Sequence, residues 1–292
     1  MENFFDLVPL IVLIPLIGML VNLFAGRQIG ERGVAIVAVG ASSLAFLIAV
    51  ILWIAQVQTG YEPGVVDMPL LADWISVPSA GLRIPWEFRV DTLSVTMMLV
   101  VTGVGSLIHL YAVGYMHGDA RFPRFFVYVN LFLVFMLILV TGNNFLMMFV
   151  GWEGVGLCSF LLIGFWFDKP GGEGWKNSDA ARKAFIVNRV GDFGLILGML
   201  MTFWTFGTLD YYKPGEAPLA AHHEAEAEAP VFAPQFPQEE HAEPEGPLGV
   251  FNQAQLWLDE GGHEVDFGLV TLSFETTLTI ITLLFLLGAT GK

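Results

Sequence analysis

Glu153 stands in the middle of NNFLMMFVGWEGVGLCSFLLIGFWF, residues 143–167, a stretch apolar almost throughout. As a helix it is long enough to cross a hydrocarbon core of about 30 Å. An ionised carboxylate at that depth costs at least ~2.5 kcal/mol, so it calls for a partner and a purpose. Its own helix supplies no partner: the residues three and four positions away are Phe149, Val150, Gly156 and Leu157, none with a hydrogen-bonding side chain. Gly151, Gly154 and Gly156 leave that turn bare enough for another helix to approach closely. A second charged set lies in ARKAFIVNRVGDFGLILGMLMTFWTF, where Arg182, Arg189 and Asp192 fall on one helical face. Asp192 is about 15 Å along that helix from Arg182, a depth like that of Glu153. A snorkelling Arg189 with Asp192 as its counter-ion accounts for the arginine but leaves the depth of both carboxylates unexplained. The third element, TLTIITLLFLLGATGK, ends on Lys292 after Gly288 and Gly291. Glycine-broken half-helices are a common way to build ion sites inside membranes; the plainer reading of Lys292 is a charge marking the inner membrane face. Arginine stays charged in proteins, whereas carboxylates and a desolvated lysine can exchange protons. The chemistry implied by Glu153, Arg189, Asp192 and Lys292 is movement of protons or cations, with Glu153→Gln as its direct test.

Seven apolar segments must position these residues: roughly 4–25, 33–56, 91–115, 124–141, 143–167, 182–206 and 271–291. With 55% hydrophobic and 14% charged residues and a mean hydropathy of +0.65, the expected fold class is an all-α polytopic membrane protein. The loops after segments one, three and five carry Arg27, Arg32, Arg121, Arg124, Lys169, Lys176 and Arg182, against Arg83, Arg89 and Lys213 in the others. The positive-inside rule then places the odd loops in the cytoplasm and the N-terminus outside. The start MENFFD is acidic, with no signal-peptide pattern expected. The domain plan is two helices over 1–56, an outer hairpin-like loop over 57–90, four helices over 91–206, an outer insert over 207–270 and the first half of a broken helix over 271–292.

In the 57–90 loop, ADWISV, PSAG and LRIPWEFRV read as two short strands around a turn. The net charge of −15 belongs largely to the second outer loop, where thirteen acids face only Lys213 between Asp210 and Asp266. Its run HHEAEAEAPVFAPQFPQEEHAEPEGP has too little apolar surface to pack and is expected to be largely disordered. His222, His223 and His241 lack metal-site spacing, so no metal is expected. Cys158 is the single cysteine, which excludes an intrachain disulfide and a cysteine-ligated cluster. His109 reads as a satisfied buried group, Pro9 and Pro15 as tolerated kinks, and Asp179 with Lys183 as a surface pair. No phosphate-cradling glycine loop occurs.

GWEGVGLCSFLLIGFWF, KAFIVNRVGDFG and LLGATGK closely resemble the largest antiporter-like subunit of respiratory complex I, NADH:quinone oxidoreductase, as do residues 88–116 and 124–149. The resemblance implies an antiporter-like helix bundle that conducts protons, driven by electron transfer in other subunits. It makes Glu153 the essential glutamate, Arg189 its pairing cation with Asp192 following, and Lys292 the lysine of a mid-membrane break. The chain then corresponds to the N-terminal part of such a subunit. The resemblance further implies a bacterial plasma membrane, complex I subunits and lipid as partners, no nucleic acid, and no cofactor in this chain, with flavin and iron–sulfur clusters in partner subunits. The runner-up is an Mrp-type sodium/proton antiporter or membrane-bound hydrogenase subunit, against which NRVGD points to the complex I branch. A transport-inactive structural fragment is the alternative of another class.

Overall fold

The computed structural model describes residues 2–58, 63–68, 74–77, 82–213 and 248–292. Helix α1, Val8–Gln58, holds the first two apolar segments as the arms of one antiparallel hairpin. The chain reverses at Gly30, whose φ of 69° and ψ of 178° suit a residue without Cβ. The arms touch where Gly18 faces Ala41: a Cβ on Gly18 would lie 2.7 Å from the Ala41 methyl carbon. Gly30 is the sole non-helical residue inside α1, so Pro15 does not break it, and Pro9 sits in its first turn, where a missing N–H costs nothing.

Helices α2 (Thr92–Tyr115), α3 (Phe122–Thr141), α4 (Phe145–Ile163) and α5 (Glu173–Phe206) follow, each long and apolar enough to cross a membrane. With both arms of α1 and the shorter apolar helix α7, Phe274–Thr290, the chain is a multi-pass helical membrane protein. The hairpin α1 packs on α2 and α3 through Ile11, Ala45, Leu52, Met98 and Leu137. Helix α3 leads to α4, α4 to α5, and α5 carries α7. Outward-facing residues such as Val104, Leu107 and Leu110 on α2 and Ile186, Val190 and Phe193 on α5 are exposed and apolar, as a lipid or subunit contact requires.

The described residues of the 57–90 loop hold one strand pair more than the expected hairpin. Strand β2, Ile75–Val77, pairs antiparallel with β3, Leu82–Ile84, and a second pair forms between β1, Gly64–Asp67, and β4, Glu87–Val90. Pro85 divides the run LRIPWEFRV into two strands because it cannot donate to a ladder.

The run expected to be largely disordered lies within residues 214–247, and the segment that follows it is ordered. Residues 250–273 form α6, Val250–Glu260, and a hairpin of β5, Glu264–Asp266, with β6, Thr271–Ser273. The physical reason is an apolar stripe: Val250 is buried and Trp257 stacks on Phe206 and meets Phe274 edge-on. Residues 214–247, including His222, His223 and His241, lie outside the described residues. Asp179 pairs with Arg182, one turn away, rather than with Lys183.

Candidate functional site

Helix α4 turns its glycines toward α3. A Cβ on Gly151 would lie 2.5 Å from the Leu139 backbone nitrogen, and Gly154 is covered by the Phe135 ring. That seating rotates Glu153 away from α3 and toward α5. There Arg189 Nη1 donates to Glu153 Oε1 at 2.5 Å and stands 3.7 Å from Asp192 Oδ2. One guanidinium is thus shared between two carboxylates, at unequal distance. Glu153 and Arg189 border a hollow of about 410 Å³ walled by Phe135, Phe149 and Phe185.

Asp192 is almost wholly buried. Trp152 donates its indole N–H to Asp192 Oδ1 at 2.8 Å, while Oδ2 accepts no hydrogen bond among the described residues. Lys292 Nζ lies 3.9 Å from Asp192 Oδ1, donates to the Trp152 carbonyl and sits 4.7 Å from the centre of the Trp152 ring. The charged groups therefore form one line from α4 through α5 to the end of α7: Glu153, Arg189, Asp192, Lys292.

Helix α7 reaches this line because α5 presents glycines to it. A Cβ on Gly191 would stand 2.8 Å from Gly291 Cα, and one on Gly288 would stand 2.9 Å from Leu195 Cβ. Gly194 and Gly198 continue the stripe under Leu287 and Phe285. Gly156 leaves the space that Lys292 fills, with Nζ 3.1 Å from where its Cβ would be. Asn188, with its amide nitrogen turned inward, donates to the Gly291 carbonyl at 3.0 Å and ties the end of α7 to α5.

The start of α4 and the end of α5 are stitched together. Asn144 caps α4 by accepting from Met147 N–H at 2.7 Å, and its amide donates to the Pro85 carbonyl at 2.9 Å. Asn143 donates to buried Glu87 at 2.9 Å and to the Tyr212 carbonyl at 3.0 Å. The turn between α3 and α4 is thereby fixed both to the strand β4 and to the segment leaving α5. Burial pushes the Tyr211 hydroxyl in this segment above its ordinary range, with nearby Arg89 opposing.

The four residues singled out in the sequence are thus brought into one line, whereas His109 stands apart on α2, between the Gly105 carbonyl at 2.7 Å and Asn130 Oδ1 at 3.0 Å. Sequence reasoning missed Trp152 and Asn188. The only available signal was a polar-edged residue beside Glu153 and one helical turn before Asp192.

Residues 74–126 match the family described as NADH-Ubiquinone oxidoreductase (complex I), chain 5 N-terminus, and residues 142–222 match NADH:quinone oxidoreductase/Mrp antiporter, TM. The second match contains Glu153, Trp152, Arg189 and Asp192; Lys292 lies outside both. The helix arrangement and charged line define an antiporter-like membrane subunit. Structures of an Mrp complex from Dietzia sp. DQ12-45-1b and of an archaeal membrane-bound sulfane sulfur reductase share the fold. Their TM-scores are 0.55 and 0.54, at 19% identity, covering 75% and 70% of this chain and 21% and 38% of theirs.

More narrowly, the chain belongs to the family of NADH-quinone oxidoreductase subunit L and chain 5. It is 44% identical over 210 residues to the subunit L of Mycobacterium tuberculosis, covering 69% of this chain and 30% of that protein. It is 43% identical over 210 residues to the chain 5 of Allomyces macrogynus, covering 70% of this chain and 31% of that protein. The chain thus spans about a third of the length of these relatives.

Proposed function

We propose that this chain forms a proton-conducting segment of a complex I membrane subunit, in which electron transfer in other subunits drives protons across the bilayer. The observation that carries this reading is the arginine shared between two carboxylates, with a lysine beyond the second. Of the four groups, Arg189 keeps its charge and only Glu153, Asp192 and Lys292 exchange protons. Protonation of Glu153 removes its attraction for Arg189, whose guanidinium then shifts toward Asp192. A guanidinium closer to Asp192 weakens the hold of that carboxylate on Lys292, and the lysine proton is free to move on. In this reading the redox chemistry, with its flavin and iron–sulfur clusters, belongs to partner subunits, and this chain contributes side chains that move protons.

On the same reading the membrane is a bacterial plasma membrane and the N-terminus and acidic insert face its outer side, an orientation that the basic residues of the alternate loops support through the positive-inside rule. The test is Glu153→Gln in the full-length subunit within its assembled complex. Proton pumping by inverted membrane vesicles is expected to be lost while assembly persists, and a variant that pumps at the normal rate refutes the reading. A sodium gradient that substitutes for the proton gradient in the same vesicles would instead favour an Mrp-type exchanger.

A further inference from the structure

The basic face of the molecule carries a cleft that takes no part in the charged line. It opens between the start of α3, the end of α4 and the first turns of α5, and has a volume of about 290 Å³. Arg124 and Arg182 stand at it with the hydroxyl of Ser178, and Tyr128, Phe160 and Phe165 form an apolar wall. Arg124 is exposed and, among the described residues, has no hydrogen-bond or ion-pair partner. Two nearby carboxylates are engaged elsewhere, Asp119 accepting from Trp166 at 2.9 Å and Asp168 pairing with Arg121 at 2.9 Å, whereas Asp179 pairs with Arg182 at the cleft itself. Arg121, lying 5.3 Å from the Phe165 ring centre, has a buried Nη1 with no acceptor among the described residues. Residues 117–125 and 164–183 together hold six bases and four acids.

The cleft lies where α3 begins, α4 ends and α5 begins, near the ends of three apolar helices, and is cationic on one side and aromatic on the other. A free anion would use only the arginines and leave the apolar wall wet. We propose that this cleft binds an anionic phospholipid, its phosphodiester between Arg124 and Arg182 and an acyl chain along the aromatic wall. Basic pockets between helices on the inner face are suited to such headgroups. A zwitterionic headgroup is disfavoured because it brings its own cation beside the two arginines.

The experiment uses the full-length protein in its native complex, reconstituted in phosphatidylcholine with a trace of spin-labelled phosphatidylglycerol or spin-labelled phosphatidylcholine. The motionally restricted fraction reports binding. The complex is expected to restrict the phosphatidylglycerol label preferentially. Each arginine near an anionic lipid contributes about fivefold to affinity. Arg124→Gln, which breaks no hydrogen bond or ion pair among the described residues, reduces the preference by about that factor, and the double variant with Arg182→Gln reduces it further. Asp179→Asn, which frees Arg182, raises it. Lys176→Gln, on the same face but away from the cleft, leaves it unchanged. The proposal is overturned if the wild type shows no preference, if Arg124→Gln keeps the full preference, or if Lys176→Gln loses as much. Displacement of the label by inorganic phosphate also overturns it, since the cleft would then be a free-anion site. Electron transfer by the complex, followed in parallel, verifies that each variant is assembled.

Discussion

Gly191 separates α5 from α7 immediately beside Asp192, and replacing it tests whether the line of charges depends on distance. A Cβ there would stand 2.8 Å from Gly291 Cα and 3.0 Å from the Gly288 carbonyl oxygen. Carbon atoms pack at about 3.5–4.0 Å, so Gly191→Ala forces the end of α7 away by about 1 Å. Both neighbours are backbone and cannot rotate aside. Lys292 is the residue after Gly291 and lies 3.9 Å from Asp192, so the displacement falls directly on that contact. A misplacement of about 1 Å can slow a positioned step by about a hundredfold. Overpacking costs ~1–3 kcal/mol, offset by ~1 kcal/mol of improved helix propensity, so the protein still assembles. The assay is dye-reported proton uptake by inverted vesicles carrying the full-length variant, normalised to the amount of complex on a native gel. Gly40→Ala is the control, because nothing lies within 4 Å of its would-be Cβ. Pumping at the wild-type rate in assembled Gly191→Ala would refute the dependence on spacing. An equal loss in Gly40→Ala would show that the effect is not local.

Asp91 caps α2: its carboxylate accepts from Ser94 N–H at 2.7 Å and from Arg89 at 2.7 Å. Burial pushes this carboxyl up, but the Ser94 and Arg89 donors outweigh it and hold the group below the usual range. A depressed carboxyl stabilises the folded state fully above its unfolded value of about 3.9 and loses that effect as pH falls through the folded value. Asp91→Ala is expected to cost about 1–2 kcal/mol at neutral pH, with the gap in melting temperature to the wild type closing in acid. Asn143→Ala removes two hydrogen bonds at the turn between α3 and α4 and should cost about 1–3 kcal/mol, measured as lower thermal stability of the detergent-solubilised complex. Trp152→Phe keeps a ring for Lys292 but removes the N–H to Asp192, and should slow pumping more than it lowers assembly.

Much of this arrangement was legible before any coordinates because charge in an apolar segment is costly enough to stand out. From the residues alone, Glu153 had no donor on its own helix and Asp192 lay at a matching depth; Arg189 as the partner of Glu153 followed only from the resemblance carried by NRVGD. Trp152 was not legible: whether its indole N–H reaches another helix depends on how α4 is rotated, and that rotation is set by Gly151 and Gly154 against α3. Helix α6 was hidden by the Pro- and Glu-rich run before it, and its apolar side gains meaning only once Phe206 and Phe274 are there to cover it. Asp179 had three cations within helical reach, Lys176, Arg182 and Lys183, and sequence spacing alone does not choose among i−3, i+3 and i+4. The extra strand pair between β1 and β4 joins residues twenty or more apart, a register no local pattern specifies.

The two carboxylates and two cations of the line sum to zero formal charge, the condition under which such a set is tolerated in a low-dielectric interior. Any single proton gained or lost leaves one uncompensated charge, which in that medium is costly. A proton therefore cannot leave Lys292 or reach Glu153 without the remaining charges rearranging. Arg189 is the group placed to respond, at 2.5 Å from one acceptor and 3.7 Å from the next. Its half-exposed side chain has the freedom to move, whereas Asp192 is enclosed and held by Trp152. In the proposed cycle the fixed carboxylate on α5 acts as the pivot, and the two cations on either side of it compete for it. Asn143, through the Tyr212 carbonyl, and Phe145 N–H, through the Leu209 carbonyl, tie the start of α4 to the segment leaving α5, which in the proposed cycle leaves side chains and not sliding helices to carry the rearrangement.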